Sequence, residues 1–440
     1  MGDIWQVYRE RGFFQQCTDQ LGLVAKGEEG PLTGYIGFDP TADSFHAGHL
    51  IPLMSLVHFQ RAGHRPIALM GGGTAMIGDP TGKNEMRKML SVEELDANIE
   101  AMKRQLAVLL DFGLLDFGDG VGEGGGGGGA GSNPDRQSNT SAIIVNNAEW
   151  LRGLGYIDFL REVGPHFSVN RMLTFETFKM RLDGAGLSFL EFNYPLLQSY
   201  DFLELQRRHG CVLQMGGDDQ WANIISGVDL VRRLARETVY GWTFPLHTTA
   251  SGAKMGKTEK GAVWLDPNKT SPYEYYQYWI NVEDADAGKC LRLFTLLELE
   301  EVAELEKLQG ADIRQAKQKL AHEATALIHG EEEARRAAEG ARALFGGTSG
   351  AGSGGDLDEA PTTHLPSQRI SEGLPVIDIL PEVGLTKSKG EARRLIKQGG
   401  VSVNNTRVEA EDLALTPAHV EEGAILLRVG KKKYHRLVVG

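Results

Sequence analysis

Two histidines stand three residues apart in GFDPTADSFHAGHL, residues 37–50. On a helix, His46 and His49 share one face. The Pro-containing turn before them places that face at a helix start, where free N–H groups and a partial positive charge favour an anion. Ala47 and Gly48 leave room for a flat ligand to approach. No third Cys or carboxylate ligand is obvious nearby, so a metal site is not expected; structural histidines are the competing reading. A second candidate is ASGAKMGKTEKG, residues 250–261. It ends like a phosphate loop, but such a loop needs a helix beginning at its Lys-Thr. Gly261, Val263-Trp264-Leu265 and Pro267 deny a long helix here. A P-loop NTPase is therefore disfavoured. Lys254 and Lys257 read instead as mobile cations suited to a transferring phosphoryl group and its leaving pyrophosphate. A solvated basic loop is the alternative.

Three further stretches carry polar groups where a ligand could sit. LMGGGTAMIGDPTGK, residues 69–83, sets three glycines after an apolar run, which suggests close backbone approach to a ligand. It matches neither GxGxxG nor Walker A, since Asp79 stands where the lysine should be. In FNYPLLQSYDFLEL, residues 192–205, Tyr194, Gln198 and Asp201 are spaced by four and three. They form one polar stripe on a helix, and either satisfy one another or line a pocket for a polar amphiphile. In LQMGGDDQWANI, residues 213–224, Asp218-Asp219-Gln220 opens a helix after a Gly-Gly turn. These carboxylates are helix caps or a hold on ribose hydroxyls.

The elements that must position these groups alternate. TGYIGFD, RPIALMGGG, SAIIVNN and GCVLQMGGD are short apolar runs ending in Gly, Asn or Asp, and read as strands. GHLIPLMSLVHFQRAG and SVEELDANIEAMKRQLAVLLDFG read as amphipathic helices, the second opened by Ser91 with Glu94 at the capping-box position. Such alternation predicts a parallel α/β sheet. From about residue 271 to 345 the pattern is helical. Past residue 366, KGEARRLIKQGG reads as a short helix, and VSVNNTRV and AILLRVGKKKYHRLVV read as hairpins. Two glycine-rich stretches read as disordered: residues 118–133, with six consecutive glycines, and 346–356. The expected division is a catalytic part over 1–270, helices over 271–345, a linker over 346–365 and a final domain over 366–440.

At 440 residues, 41% hydrophobic and 24% charged, the chain suits a soluble protein of two or three domains. There is neither a long apolar run nor a signal- or transit-peptide pattern, so no membrane association is expected. Cys17, Cys211 and Cys290 lie far apart, which suits a reducing compartment. The net charge of −13 alone argues against nucleic acid, but residues 366–440 carry 12 Lys/Arg against 9 Asp/Glu, leaving −16 on the rest. A basic end on an acidic body can steer a polyanion.

Together these segments resemble bacterial-type tyrosyl-tRNA synthetases, a class I family. His46-Ala47-Gly48-His49 resembles the class I HIGH signature, and Lys254-Met255-Gly256-Lys257-Thr258 its lysine loop. YIGFDPTADS, IGDPTGK, LQSYDFLEL and GGDDQWANI follow in the family's order, and GLTKSKGEARRLIKQGGVSVN resembles an S4-type RNA-binding module. The resemblance implies a Rossmann-type parallel-sheet catalytic domain, a helical domain and an S4-like α+β domain. It implies activation of L-tyrosine with ATP and Mg²⁺, transfer to tyrosine tRNA, a homodimer and a bacterial cytoplasm, with an organellar matrix as the alternative. It implies that Tyr35 and Asp201 bind the substrate phenol, that Asp79, Tyr194 and Gln198 hold its ammonium, and that Gln220 lies near its carboxylate. Gly37, Asp39, Gly48, Gly217 and Asp219 match positions around the nucleotide, with Thr41, His46 and His49 on the triphosphate side. Lys83, Arg87, Lys254, Lys257 and Thr258 match the groups that stabilise pyrophosphate. Lys387, Lys389, Arg393, Arg394, Lys397 and Lys431, Lys432 and Lys433 are expected to touch tRNA phosphates. Asp218 and Ala222 depart from the family's usual Ser and Gly, and an extra carboxylate beside the ribose is expected to affect ATP binding. A non-catalytic RNA-binding relative and the tryptophan enzyme are the alternatives; the Tyr35–Asp201 pair disfavours the latter.

Overall fold

The computed structural model describes residues 3–79, 90–113, 140–184, 186–246, 248, 250, 255–258, 261–345, 362–404, 406–421, 423–430 and 433–440. For Lys257, Thr258, Ala343, Leu344, Phe345 and Lys433 it describes the backbone alone. Lys83, Arg87, Lys254, Lys431, Lys432 and the stretch 118–133 lie outside the described residues. Two compact units divide after Ala334, inside the helix Glu331–Phe345. The strand–helix part and the helices that follow it, Pro272–Ile280, Ala287–Phe294, Leu299–Glu306 and Ile313–His329, thus form one unit.

The first unit is built on six strands: β1 (Gln16–Cys17), β2 (Thr33–Phe38), β3 (Arg65–Met70), β4 (Ile143–Asn146), β5 (Leu213–Gly217) and β6 (Tyr240–Phe244). Their order is β1-β6-β5-β2-β3-β4. All neighbours are parallel except β1 with β6. The four apolar runs read as strands are β2 to β5. Pro66 to Met70 is buried without interruption, the mark of a parallel strand covered on both faces. The helix Val92–Leu109 begins as expected, with Glu94 N–H donating to Ser91 Oγ (3.1 Å) and Ser91 N–H to Glu94 Oε2 (2.8 Å).

From β2 the chain runs outward through β3 to β4, then returns to β5 on the other side of β2. Chain direction across the sheet therefore reverses between β2 and β5. A crevice opens beyond the carboxyl ends of strands at such a point, and ligands bind there. Every motif singled out above leaves the sheet at one of these strand ends, apart from the lysine loop and the helix Tyr194–His209. That helix packs over the sheet: Tyr35, Ile67 and Leu69 share one buried cluster with Leu196, Phe202 and Leu203.

In the second unit, β9 (Thr362–Leu365), β11 (Val401–Val403), β12 (Thr406–Arg407), β14 (Ala424–Val429) and β15 (Lys433–Val439) form a sheet in the order β12-β11-β14-β15-β9. A short ladder joins β10 (Leu374–Pro375) to β13 (Ala414–Leu415). The two hairpins read from sequence are β11–β12 and β14–β15. The helix Lys389–Lys397 buries Ala392 and Ile396 against this α+β core. One expectation is corrected: the end of the supposed linker, Thr362–Leu365, is a strand. It pairs in parallel with β15, whose second edge would otherwise be open.

Candidate active site

The histidine turn is built locally. His46 ends an extended segment and precedes a 3₁₀ turn, Ala47–His49, that leads into the helix Leu50–Arg61. The Gly48 N–H donates to His46 Nδ1 (3.0 Å) and the His46 N–H to His49 Nδ1 (3.2 Å). The ring centroids are 4.0 Å apart. An Nδ1 that accepts from a backbone N–H carries no proton, so both neutral rings hold theirs on Nε2. Donors on both imidazoles beside a helix start suit an anion.

Among the described residues of the lysine loop there is no helix. Lys257–Thr258 is a strand, β7, paired with β8 (Gly261–Ala262). The chain then runs alongside the histidine turn: Ala47 N–H donates to Val263 O (2.8 Å) and Leu265 N–H to Phe45 O (2.9 Å). Gly256, at φ +82°, lies against Gly48 so closely that a side chain would collide with the Ala47–Gly48 peptide. The space beside Gly48, expected to admit a flat ligand, is partly taken by Met255 O and Gly256. Trp264 sets its ring against His46 at 5.9 Å.

The helix Tyr194–His209 aims its polar stripe at the strand ends. Asp201, only 2% exposed, accepts from Asn147 Nδ2 (2.9 Å) and Trp150 Nε1 (2.8 Å). Burial pushes its carboxyl up to about 7, and the two donors pull the other way. Tyr35, 1% exposed, has no hydrogen-bond partner for its hydroxyl among the described residues. Burial raises its phenol well above the ordinary value, and the nearby Asp201 charge raises it further. Tyr194 donates to Asp39 Oδ2 (3.2 Å), and Thr74 to Asp39 Oδ1 (3.1 Å). Asn147 Nδ2 reaches Thr74 Oγ1 (3.0 Å), which joins Asp39 to Asp201 through a continuous chain. A second chain links Gln220 to Asp79 (2.9 Å) and Asn223 to both Gln198 (2.9 Å) and Gln220 (3.2 Å). Asp39, Asp79 and Asp201 thus gather at one end of the crevice, an environment for a cation with a hydroxyl at its far end.

At the other end lie Gly37, Thr41, Gly217 and Asp219. Gly37 is exposed at the end of β2 with open space where a side chain would be, and Gly217 closes β5 beside it. Thr41 and Asp219 are exposed. The triple glycine after β3 answers to its neighbours: a side chain at Gly71 would meet Asp39 and Thr74, and one at Gly72 would meet Asn146. Asp218 is turned away from the crevice. Its Oδ1 accepts from Gln16 Nε2 (2.6 Å) and Thr243 Oγ1 (2.9 Å), which ties the Gly217 turn to the sheet edge. Sequence reasoning missed Thr74, Asn147, Trp150 and Asn223. The Asn146-Asn147 pair ending β4 was the available signal.

Residues 27–346 match the family model of class I tRNA synthetases (W and Y). A Clostridium botulinum tyrosine–tRNA ligase is 51% identical over 439 residues, covering 100% of both chains. The chain belongs to the class I tyrosyl-tRNA synthetases. Residues 356–437 match the SYY-like C-terminal domain of tyrosine–tRNA ligases. A tyrosine–tRNA ligase of Acetivibrio thermocellus is 51% identical over 437 residues, with 99% of each chain covered. The C-terminally truncated mitochondrial tyrosyl-tRNA synthetase of Aspergillus nidulans superposes with a TM-score of 0.67 at 30% identity, over 78% of this chain and 95% of that one. These relatives favour a tyrosyl-tRNA synthetase over the non-catalytic alternative. In the C-terminal unit, Lys387, Lys389, Arg393, Arg394 and Lys397 are all exposed. Lys389 pairs with Asp378 (2.8 Å), while Arg393 (3.9 Å) and Lys397 (2.9 Å) share Glu411. Among the described residues no helix is long and apolar enough to cross a membrane.

Proposed function

We propose that Tyr35 and Asp201 select tyrosine by its hydroxyl, and that the protein then activates and transfers it in two steps. The observation that carries this reading is the buried Tyr35 hydroxyl without a partner, close to a buried carboxylate. A phenol entering there supplies the missing partner and donates to Asp201. Asp79, Tyr194 and Gln198 hold the substrate ammonium and Gln220 lies near its carboxylate. That carboxylate attacks the α-phosphate of ATP; the new O–P bond forms as the bond to pyrophosphate breaks. The nucleophile is already ionised, so positioning and charge stabilisation dominate. Gly37, Asp39, Gly48, Gly217 and Asp219 surround the nucleotide. Thr41 and the Nε2–H donors of His46 and His49 meet the phosphates, and Lys83, Arg87, Lys254, Lys257 and Thr258 stabilise departing pyrophosphate. Mg²⁺ enters as part of the ATP substrate, which suits an ion that usually keeps phosphate and water ligands. The tyrosyl group then passes to the 3′-terminal adenosine of tyrosine tRNA, gripped by Lys387, Lys389, Arg393, Arg394, Lys397 and Lys431 to Lys433.

Residues 1–270 act as the catalytic part, the helices that follow as a helical domain, and the final α+β unit as the RNA grip. The working form is a homodimer in a bacterial cytoplasm. Support for the dimer comes from a run of exposed apolar side chains, among them Tyr156, Ile157, Val169, Met180, Leu182 and Phe189. Monomers tend to hide such concentrations. Tyrosine-dependent ATP–pyrophosphate exchange tests the activity, and its absence at saturating tyrosine would overturn the reading.

A further inference from the structure

The lysine loop is held from the helical side at points that no motif marks. The Gly256 N–H donates to Tyr278 Oη (2.9 Å), on the helix Pro272–Ile280. The Ala250 N–H donates to Asp286 Oδ2 (2.9 Å), and Lys289 Nζ reaches Thr248 O (3.3 Å). Asp286 is the more telling contact. It occupies the N-cap of the helix Ala287–Phe294 yet makes no side-chain cap to that helix. An aspartate there ordinarily accepts from its own helix's first N–H groups. This buried carboxylate serves the loop instead. Tyr278 and Asp286 therefore grip the backbone at residues 256 and 250, one on each side of Lys254 in the sequence. On its other face Gly256 abuts the peptide of the histidine turn.

We propose that Tyr278 and Asp286 are positioning residues for adenylate formation, holding the backbone at Ala250 and at Gly256, the latter against the His46–His49 turn. The proposal rests on the reading that Lys254 and Lys257 act on the departing pyrophosphate. Cations used only in the transition state contribute to kcat without tightening ground-state binding of the amino acid. Tyr278→Phe keeps the ring, which packs edge-on against Trp279, and removes only the acceptor. Asp286→Ala removes the other acceptor, whereas Asp286→Asn keeps a carbonyl oxygen in its place.

Pre-steady-state and exchange kinetics on the full chain test this, with Lys257→Ala as reference. Tyr278→Phe and Asp286→Ala should each lower kcat for exchange about 5- to 30-fold, the range expected for one lost hydrogen bond that orders a loop. KM for tyrosine and the melting temperature should hold, and Asp286→Asn should recover most of the rate. Normal kcat in both variants while Lys257→Ala collapses exchange would overturn the proposal and leave the lysine reading intact. Normal exchange in Lys257→Ala would remove that reading and the proposal with it. A kcat loss matched by weaker tyrosine binding or lower melting temperature would mark a merely structural role and also overturn it.

Discussion

Tyr35→Phe isolates the phenol recognition better than any change at Asp201. Asp201 holds Asn147 and Trp150, so its removal strands two buried donors. The Tyr35 hydroxyl has no protein partner among the described residues, so its deletion breaks nothing in the empty enzyme. With tyrosine, the variant loses the hydrogen bond that satisfies a buried hydroxyl, about 1–3 kcal/mol or roughly 5- to 160-fold in kcat/KM. With phenylalanine it changes little, because the wild-type hydroxyl is already buried and unpaired in the empty enzyme. Tyrosine-over-phenylalanine preference should therefore fall by about 5- to 160-fold. Tyrosyl-tRNA synthetase is the reference case for discrimination through hydrogen bonds to a substrate hydroxyl, and the direction here agrees with it. The assay is pyrophosphate exchange with each amino acid, alongside thermal unfolding, which should show no loss of stability. A preference within about threefold of wild type would refute the reasoning, since the loss depends on this one hydroxyl facing the substrate.

The acid limb of kcat/KM for tyrosine should lie near pH 7, where burial places Asp201. Protonation removes the acceptor for the phenol, so activity falls as pH drops through that value. Asn147→Ala deletes a donor that favours the ionised form, which raises the Asp201 pKa and moves the limb to higher pH; a limb that stays or moves down counts against the assignment. Deleting residues 357–440 should abolish tRNA charging and spare pyrophosphate exchange. Charging that survives at physiological salt would show that the C-terminal unit is not the main RNA grip.

The sequence spoke clearly where structure is local. Strands β2 to β5 were legible because each is a short apolar run closed by Gly, Asn or Asp, and the Ser91–Glu94 cap because both partners lie within one turn. β1 and β6 were not: one has two residues, and the other carries Gly241 in its second position, a residue that weakens a strand reading. Gly241 is there because a side chain would run into Ile224. The candidate site divides the same way. Tyr194, Gln198 and Asp201 were visible as a helical stripe. Asn147 was not, because an asparagine pair closing a strand has no period to read and looks like any turn. Only the sheet order, which brings β4 beside β3 and β3 beside β2, carries it to Thr74 and Asp201. Asp218 shows the opposite error. Its position in the chain suggested the ribose, but Gln16 in β1 and Thr243 in β6, the two strands not legible from sequence, claim its carboxylate.

Spacing alone left structural and functional readings of the histidine pair open, and the geometry gives both rings a structural part that is compatible with the other reading. His46 is an N-cap that accepts from the Gly48 N–H, and His49, three residues on, reaches back to the His46 N–H. This is a reciprocal capping box with imidazoles in place of hydroxyl and carboxylate, and the spacing of three follows from it. Each cap consumes Nδ1 and so fixes the proton on Nε2. Nε2 then stays a donor for as long as the turn holds, and a donor of fixed sense is what the proposed contact with phosphate oxygens requires.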